Sequence, residues 1–194
     1  MQPTPAYVIK LLQERGVTVK DIAQLVMFIE YNYLPHLTPQ KCVTTVQEVL
    51  TKRDVQNTII TAIFLDKQAE QHPDNPTVFQ DMMNRDDRLY GVDENMALAI
   101  VQTYNSIALT NFGYLDKMKP GILKKLNRHQ PGEIHVFLDD IVAAIAAAAA
   151  AKLAHQDQTT SALPAVDPQE AALSKTAQQA LTDLFDYVNR DFNS

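Results

Sequence analysis

Acidic residues at three separate places in this chain are the residues best suited to do chemistry. Asp93 and Glu94 are adjacent, Asp116 adjoins a basic stretch, and Asp139 and Asp140 precede a strongly apolar run. Clusters of oxygen ligands favour hard cations such as Mg²⁺ or Ca²⁺. The sequence has no matching His or Cys spacing that would indicate zinc. It therefore indicates a carboxylate site for a hard divalent cation, provided that the fold brings these positions together.

Each acidic position also has a plain structural explanation. Asp93 and Glu94 would complement the dipole of a helix that begins there, and Asp116 would suit a turn. Asp139 and Asp140 could lie on a solvated helix edge, be protonated, or pair with Lys or Arg, because two buried carboxylates without compensation are costly. Neighbouring residues on a helix point about 100° apart, so only one member of each pair need face a shared site.

A basic stretch follows the second acidic position. Residues 117–128 contain no acid and carry five cations, namely Lys117, Lys119, Lys124, Lys125 and Arg128. Such a cluster can bind a phosphate group or lie near anionic lipid head groups, or it can be a solvated face. Arg53 is a weaker candidate for binding an anion, and a surface salt bridge would equally explain it.

The composition predicts that helices position these acidic and basic residues. Only 5 of 194 residues are Gly, none is Trp and 46% are apolar, which predicts an all-α fold with a substantial core. Apolar spacing and start and stop signals predict helices over 6–15, 18–35, 39–50, 53–70, 77–84, 93–110 and 134–155. The segment 111–132, with three glycines and two prolines, is predicted to be a long loop containing one short helix. Asp116 would then lie in a loop.

The last predicted helix is expected to be the centre of the fold. Its middle, residues 143–151, is nearly all alanine. A helix that is apolar all round is normally buried, and alanine lets neighbouring helices approach closely. We therefore predict a helical bundle in which one central Ala-rich helix is surrounded by the others.

Three segments are predicted along the chain. Residues 1–155 form the helical domain, 156–166 a polar linker, and 167–194 an amphipathic C-terminal helix with Leu181, Phe185 and Phe192 on its apolar stripe. That stripe would cover either the protein's own core or a partner.

Charge and composition exclude several classes of protein. A formal net charge of −6 argues against non-specific nucleic-acid binding. The single cysteine, Cys42, excludes an intramolecular disulfide and is expected in the core. The start of the chain lacks the apolar stretch of a signal peptide, which predicts a cytoplasmic protein. The most apolar stretch, 141–151, is short of the ~20 residues that cross a bilayer.

Several motifs together resemble the phosphatidylglycerophosphatase A family, most closely its soluble YutG-type branch. They are YGVDE at 90–94, NFGYLDK at 111–117, KPGIL at 119–123 and FLDDIVA at 137–143. The segments LLQERGVT at 11–18 and KRDVQN at 52–57 also have counterparts in that branch. The resemblance covers about residues 8–155, and the ordered set of acidic motifs with the intervening Lys-Pro is specific.

The resemblance implies a fold, an activity and a cofactor. The family removes the terminal phosphate of phosphatidylglycerophosphate, giving phosphatidylglycerol, and requires Mg²⁺; its soluble branch resembles a bundle around one central helix. Its acidic motifs map onto five metal-ligating positions, namely Asp93, Glu94, Asp116, Asp139 and Asp140. Catalysis is expected from Asp116, Asp139 and Lys119. Phosphate binding is expected from Arg53, Lys117 and Lys119.

The expected function is therefore that of a Mg²⁺-dependent phosphatase acting on a lipid head group or a phosphorylated small molecule. The sequence leaves open whether the protein contacts a membrane surface peripherally and whether it associates with itself. One alternative is a non-catalytic metal-binding module with a regulatory or partner-binding role, and another is a phosphatase for a soluble phosphate ester. A helical nucleotide pyrophosphohydrolase is disfavoured, because those enzymes space their acids three apart on a helix whereas the acids here are adjacent.

Overall fold

The computed structural model describes residues 2–71, 75–85, 90–128 and 132–158, and all of their regular elements are helices. The α-helices are α1 (Pro5–Glu14), α2 (Val19–Glu30), α3 (Pro39–Val49), α4 (Arg53–Ala69), α5 (Val78–Arg85), α6 (Val92–Val101), α7 (Asn105–Met118), α8 (Ile122–Leu126) and α9 (Leu138–Gln158). A 3₁₀ turn, Gln102–Tyr104, joins α6 to α7. The predicted all-α class is confirmed.

The Ala-rich helix α9 is the centre of the bundle, as predicted. Every residue from 141 to 151 is completely buried, and α2, α3, α4, α6, α7 and α8 all pack against α9. Alanine side chains extend little beyond the backbone, so six helices can approach this one closely. The start of α9 is consequently held in place from several directions.

The residues predicted to start α2 and α3 and to end α1 do so in the structure. Thr18 and Asp21 form a complete capping box at the start of α2, in which the Thr18 hydroxyl accepts from the Asp21 amide at 3.2 Å. Thr38 caps α3, whose first residue is Pro39. Gly16 adopts φ +75° just after α1, the left-handed conformation that ends a helix.

The prediction for residues 93–132 is wrong in two respects. The predicted helix 93–110 is interrupted at the 3₁₀ turn, where Asn105 has φ 68°. The predicted loop 111–132 is mostly helical, since α7 continues through Gly113 to Met118 and α8 follows. An isolated glycine costs a helix only about 1 kcal/mol. Burial of Phe112 and Leu115 on the inner face of α7 outweighs that cost, so Asp116 lies on a helix.

The boundaries of α9 differ from the prediction by a few residues at each end. The helix starts at Leu138 rather than Ile134, and it continues to Gln158. The first residues of the predicted linker 156–166 are therefore helical. The remainder of that linker and the predicted C-terminal helix 167–194 lie outside the described residues. None of the described helices combines the length and the apolar character needed to span a membrane.

A buried carboxyl group on α2, distant in sequence from the acidic motifs, gives the fold a predictable pH dependence. Glu30 is 4% exposed, and burial raises its pKa to about 7. Between its ordinary pKa of 4.5 and this value, the folded protein keeps a proton that the unfolded chain has released. The free energy of unfolding should therefore decrease by about 3 kcal/mol as the pH rises through this interval.

The Glu30→Gln variant should lack this part of the pH dependence and be more stable than the parent at pH 8. Urea unfolding at a series of pH values measures the effect. The matched control is Glu48→Gln, which changes an exposed glutamate on α3 that pairs with Lys152. Parallel stability profiles for the parent and Glu30→Gln would contradict the prediction.

Candidate functional site

Three of the predicted acidic residues meet around one ammonium group. Lys119 Nζ lies 2.7 Å from Asp116 Oδ1, 2.7 Å from Asp139 Oδ2 and 3.4 Å from Asp140 Oδ1. Asp116 comes from α7 and the aspartate pair from the first turn of α9. Both members of the pair contact Lys119, so both side chains face the shared site.

The backbone at Lys119 is held in an unusual conformation. Lys119 has φ 44° and ends α7 in the left-handed region, with its amide donating to the Leu115 carbonyl at 2.7 Å. This region disfavours residues with a Cβ, and the proline that follows adds further restriction. The contacts of the Lys119 ammonium with three carboxylates offset that cost. The Lys-Pro element therefore aims this side chain at the carboxylates.

The cluster contains more negative charge than its one lysine compensates. Burial, together with the nearby Asp139, Asp116 and Asp93, raises the pKa of Asp140 to about 8 against the effect of Lys119. Burial likewise raises the pKa of Asp139, although Lys119 opposes the shift. The surrounding carboxylates raise the pKa of Lys119 despite its burial. Additional positive charge would therefore stabilise the ionised site.

Asp93 and Glu94, in the first turn of α6, line a cleft that also contains this cluster. A cleft of about 150 Å³ is lined by both residues together with Asp116, Lys119 and the α9 pair. One oxygen of Asp93, Oδ1, is buried and has no hydrogen-bond partner among the described residues. All five acids of the predicted metal site therefore line one cavity, with an oxygen left unsatisfied.

An acidic residue on α4 fixes the start of α9. Asp66 is completely buried, and its two carboxylate oxygens accept from the amides of Phe137 at 3.1 Å and Leu138 at 3.0 Å. Burial raises the pKa of Asp66 to about 7, although these amides and Arg15 lower it. This cap orients the first turn of α9 and therefore its aspartate pair. No local feature of the sequence indicates this role of Asp66, since the amides that it binds are 71 and 72 residues away.

An ion pair holds the segment that leads into α9. Arg15 donates to both oxygens of Glu70, at 2.6 and 3.1 Å, and to the Ile134 carbonyl at 2.6 Å. Glu70 Oε1 accepts from the Ile134 amide at 2.9 Å. Glu70 follows Asp66 by one helical turn, so one face of α4 positions residues 134–138. In the sequence, the i,i+4 spacing of these two acids places them on one face of a helix.

Two of the predicted phosphate-binding residues do not line this cleft. Arg53 is the first residue of α4, about 20 Å along the helix axis from Asp66, and it hydrogen-bonds to Gln2 at 3.0 Å. Lys117 is exposed and absent from the cleft wall. Arg128, which the sequence placed in the basic stretch, lines the cleft instead.

The donor set of the cleft suits a hard cation. Six acidic side chains line it, against Lys119 and Arg128 as permanent cations. Carboxylate oxygens are the protein ligands that Mg²⁺ prefers, and Asp93 Oδ1 is unsatisfied. Within the described part of the chain, no three His, Cys, Asp or Glu side chains are arranged as ligands of one ion. Lys119 Nζ lies among the oxygens, so an ion could bind there only if the ammonium moved aside.

The fold and the cleft define an all-helical protein with acidic residues from three helices gathered beside a lysine and an arginine. The model of the family described as phosphatidylglycerophosphatase A matches residues 9–155, and the chain belongs to this family. The matched region ends within α9 and includes every residue of the cleft.

The chain is also similar to a curated relative and to solved structures. The chain is 53% identical over 149 residues to the uncharacterized protein YutG of Bacillus subtilis, covering 77% of this chain and 89% of YutG. A protein of unknown function from Bacillus stearothermophilus superposes with a TM-score of 0.76 at 49% identity, covering 80% of this chain and 96% of the other. The low temperature requirement C protein of Listeria monocytogenes also gives 0.76 at 49% identity, covering 79% and 96%.

Proposed function

We propose that this protein is a Mg²⁺-dependent phosphatase that hydrolyses the terminal phosphate of phosphatidylglycerophosphate and leaves phosphatidylglycerol. The observation that carries the proposal is the convergence of Asp116, Asp139 and Asp140 on Lys119 in a cleft that Asp93 also lines. Membership of the phosphatidylglycerophosphatase A family supports the substrate class.

The chemistry assigned to the side chains follows from their charges. Asp93, Glu94, Asp116, Asp139 and Asp140 would hold Mg²⁺, which when bound neutralises phosphate oxygens and lowers the pKa of a water molecule. Lys119 and Arg128 would bind the oxygens of the phosphate. Asp116 or Asp139 would accept a proton from the attacking water as its oxygen bonds to phosphorus and the bond to the glycerol oxygen breaks. That proton would then pass to the departing oxygen, which leaves as a hydroxyl group of phosphatidylglycerol. Phosphoryl transfer needs mainly positioning and charge stabilisation, which these residues can supply.

The size of the cleft favours a small charged group. Its volume is about 150 Å³. A phosphate group fits this space, whereas the acyl chains of a lipid would have to remain outside. The reacting end of the lipid would therefore enter the cleft from the membrane surface.

The proposal is tested by measuring phosphate release from phosphatidylglycerophosphate in mixed micelles, with Mg²⁺ and with a chelator. Parallel assays use glycerol 3-phosphate and a nucleoside triphosphate, which represent the alternative substrate classes. The expected result is phosphate release from the lipid when Mg²⁺ is present and none when the chelator is present. Binding of Mg²⁺ without hydrolysis of any substrate would favour a non-catalytic module, and faster hydrolysis of the nucleotide would favour a pyrophosphohydrolase.

Arg128 lines the cleft and Arg53 does not, and this difference leads to a separate prediction. Arg128→Gln should raise the KM for the lipid by about tenfold, because a hydrogen-bonded ion pair to the phosphate is lost. Arg53→Gln is the matched control and should change KM less than twofold, because Arg53 is remote from the cleft. Steady-state kinetics with both variants measures the difference. A larger effect at Arg53 than at Arg128 would contradict this assignment.

A further inference from the structure

A second hollow lies directly beside the carboxylate cleft. It has a volume of about 280 Å³, and it shares Leu126, Glu133 and His135 with the cleft. Its other walls include Arg15 at the end of α1 and Lys125 on α8. Because the two cavities share walls, one elongated molecule could occupy both at once.

The hollow has one cationic side chain without an ion-pair partner among the described residues, and one buried N–H without a hydrogen-bond partner there. Lys125 is exposed and has no ion-pair partner among the described residues, and its Nζ would lie 3.6 Å from a Cβ built on Gly16. The side chain of Arg15 is only 8% exposed, and its Nη atoms bind Glu70 and Ile134. Arg15 Nε is buried without any partner in the described part of the chain. Lys125 and Arg15 thus line the same hollow, where Arg15 is paired with Glu70 but has one buried N–H unsatisfied.

Two acidic residues around the hollow are paired with permanent cations, whereas the third, Glu133, keeps its negative charge. Glu14 binds Lys67 at 3.2 Å, and Glu70 is occupied by Arg15. Glu133 Oε2 lies 3.4 Å from His135 Nε2. Arg15 Nη2 lies 3.1 Å from His135 Nδ1, and since a guanidinium can only donate, Nδ1 must accept and Nε2 must carry the proton. None of these three carboxylates forms an ion pair with Lys125, so the Lys125 ammonium is available to an external anion.

The chemistry of the two cavities is complementary. The cleft is strongly acidic and has Lys119 and Arg128 as its permanent cations, so it suits one phosphate group that binds together with a cation. A second anionic group on the same molecule would be repelled by those carboxylates. The hollow offers it a place beside Lys125 and Arg15 that none of the five clustered carboxylates lines, although Glu133 lines both cavities.

We propose that this hollow binds a second phosphate group of the substrate while the terminal phosphate lies in the cleft. The inference rests on the proposed function and deepens it. The substrate class is then a phosphomonoester joined through a short polyol to a phosphodiester. A molecule with a single phosphate leaves the hollow empty and binds more weakly.

The test compares three substrates of increasing size. Glycerol 3-phosphate carries one phosphate, the deacylated head group glycerophosphoglycerophosphate carries two and is soluble, and phosphatidylglycerophosphate carries two and is a lipid. Lys125→Gln should raise the KM about tenfold for both two-phosphate substrates and leave the KM for glycerol 3-phosphate unchanged. Lys124→Gln is the matched control, because Lys124 is an exposed neighbour that lines neither cavity.

Two results would overturn the inference. One is an equal effect of Lys125→Gln on all three substrates, and the other is an equal effect of Lys124→Gln and Lys125→Gln. A loss confined to the lipid would assign Lys125 to the membrane surface, which also overturns the second-phosphate site.

Calorimetric titration with the deacylated head group separates this inference from the proposed function. If the protein hydrolyses no substrate, the proposed function fails, but the hollow can still be assessed by binding. Affinity lost in Lys125→Gln and kept in Lys124→Gln would support the second-phosphate site. Absence of binding to the parent protein, or equal binding to all three proteins, would overturn it.

Discussion

The Asp139→Asn variant is expected to release phosphate at least about a hundredfold more slowly than the parent, while keeping its fold. Asp139 is 7% exposed and contacts Lys119 at 2.7 Å, so its charge lies at the centre of the cluster. Asparagine has nearly the same shape but removes that charge. The measurement is kcat with saturating phosphatidylglycerophosphate and Mg²⁺, together with the thermal unfolding midpoint.

The stability of this variant distinguishes a chemical role from a structural one. Burial and the neighbouring carboxylates disfavour the ionised form of Asp139, and its pKa is raised accordingly. Removing the charge should therefore leave the unfolding midpoint unchanged or increase it. Asp81→Asn on α5 is the control, because Asp81 pairs with Arg85 and does not line the cleft. Undiminished turnover in Asp139→Asn would exclude Asp139 from catalysis.

The Lys119→Met variant is expected to lose about 3 kcal/mol of unfolding free energy when no divalent cation is present. Methionine fills a similar volume but cannot compensate Asp116, Asp139 and Asp140, two of which are buried. The variant should also bind Mg²⁺ more tightly than the parent, because no ammonium competes for the carboxylate oxygens. Urea unfolding and calorimetry, each with and without Mg²⁺, measure the two effects.

Two further variants test whether these effects come from the contact of Lys119 with the carboxylates. Lys117→Met changes an exposed lysine two residues away and should alter neither stability nor Mg²⁺ binding. Adding Asp139→Asn to Lys119→Met should recover part of the lost stability, since one uncompensated carboxylate is removed. If Mg²⁺ stabilised Lys119→Met no more than the parent, the ammonium and the cation would not share a site.

Local signals account for the parts of the fold that were predicted correctly. The Thr18–Asp21 capping box, the Thr38–Pro39 start and the turn at Gly16 each depend on residues within a few positions of one another. The buried Ala-rich helix was equally predictable, because its composition is apolar on every face. The loop predicted for 111–132 was wrong because the packing of Phe112 and Leu115 outweighs the propensity of Gly113.

The sequence by itself determined the kind of chemistry available to this protein. Five carboxylates in ordered motifs, with a Lys-Pro element among them, predicted a hard cation and a phosphate group. The family description agrees with the phosphate group, and the cation stays a prediction. Only the tertiary structure decided how these groups are arranged. It placed Lys119 between three of the carboxylates, supported α9 through Asp66, and separated Arg53 from the cleft. These relations join residues up to 72 positions apart. They depend on how helices pack around α9, which local propensity does not specify.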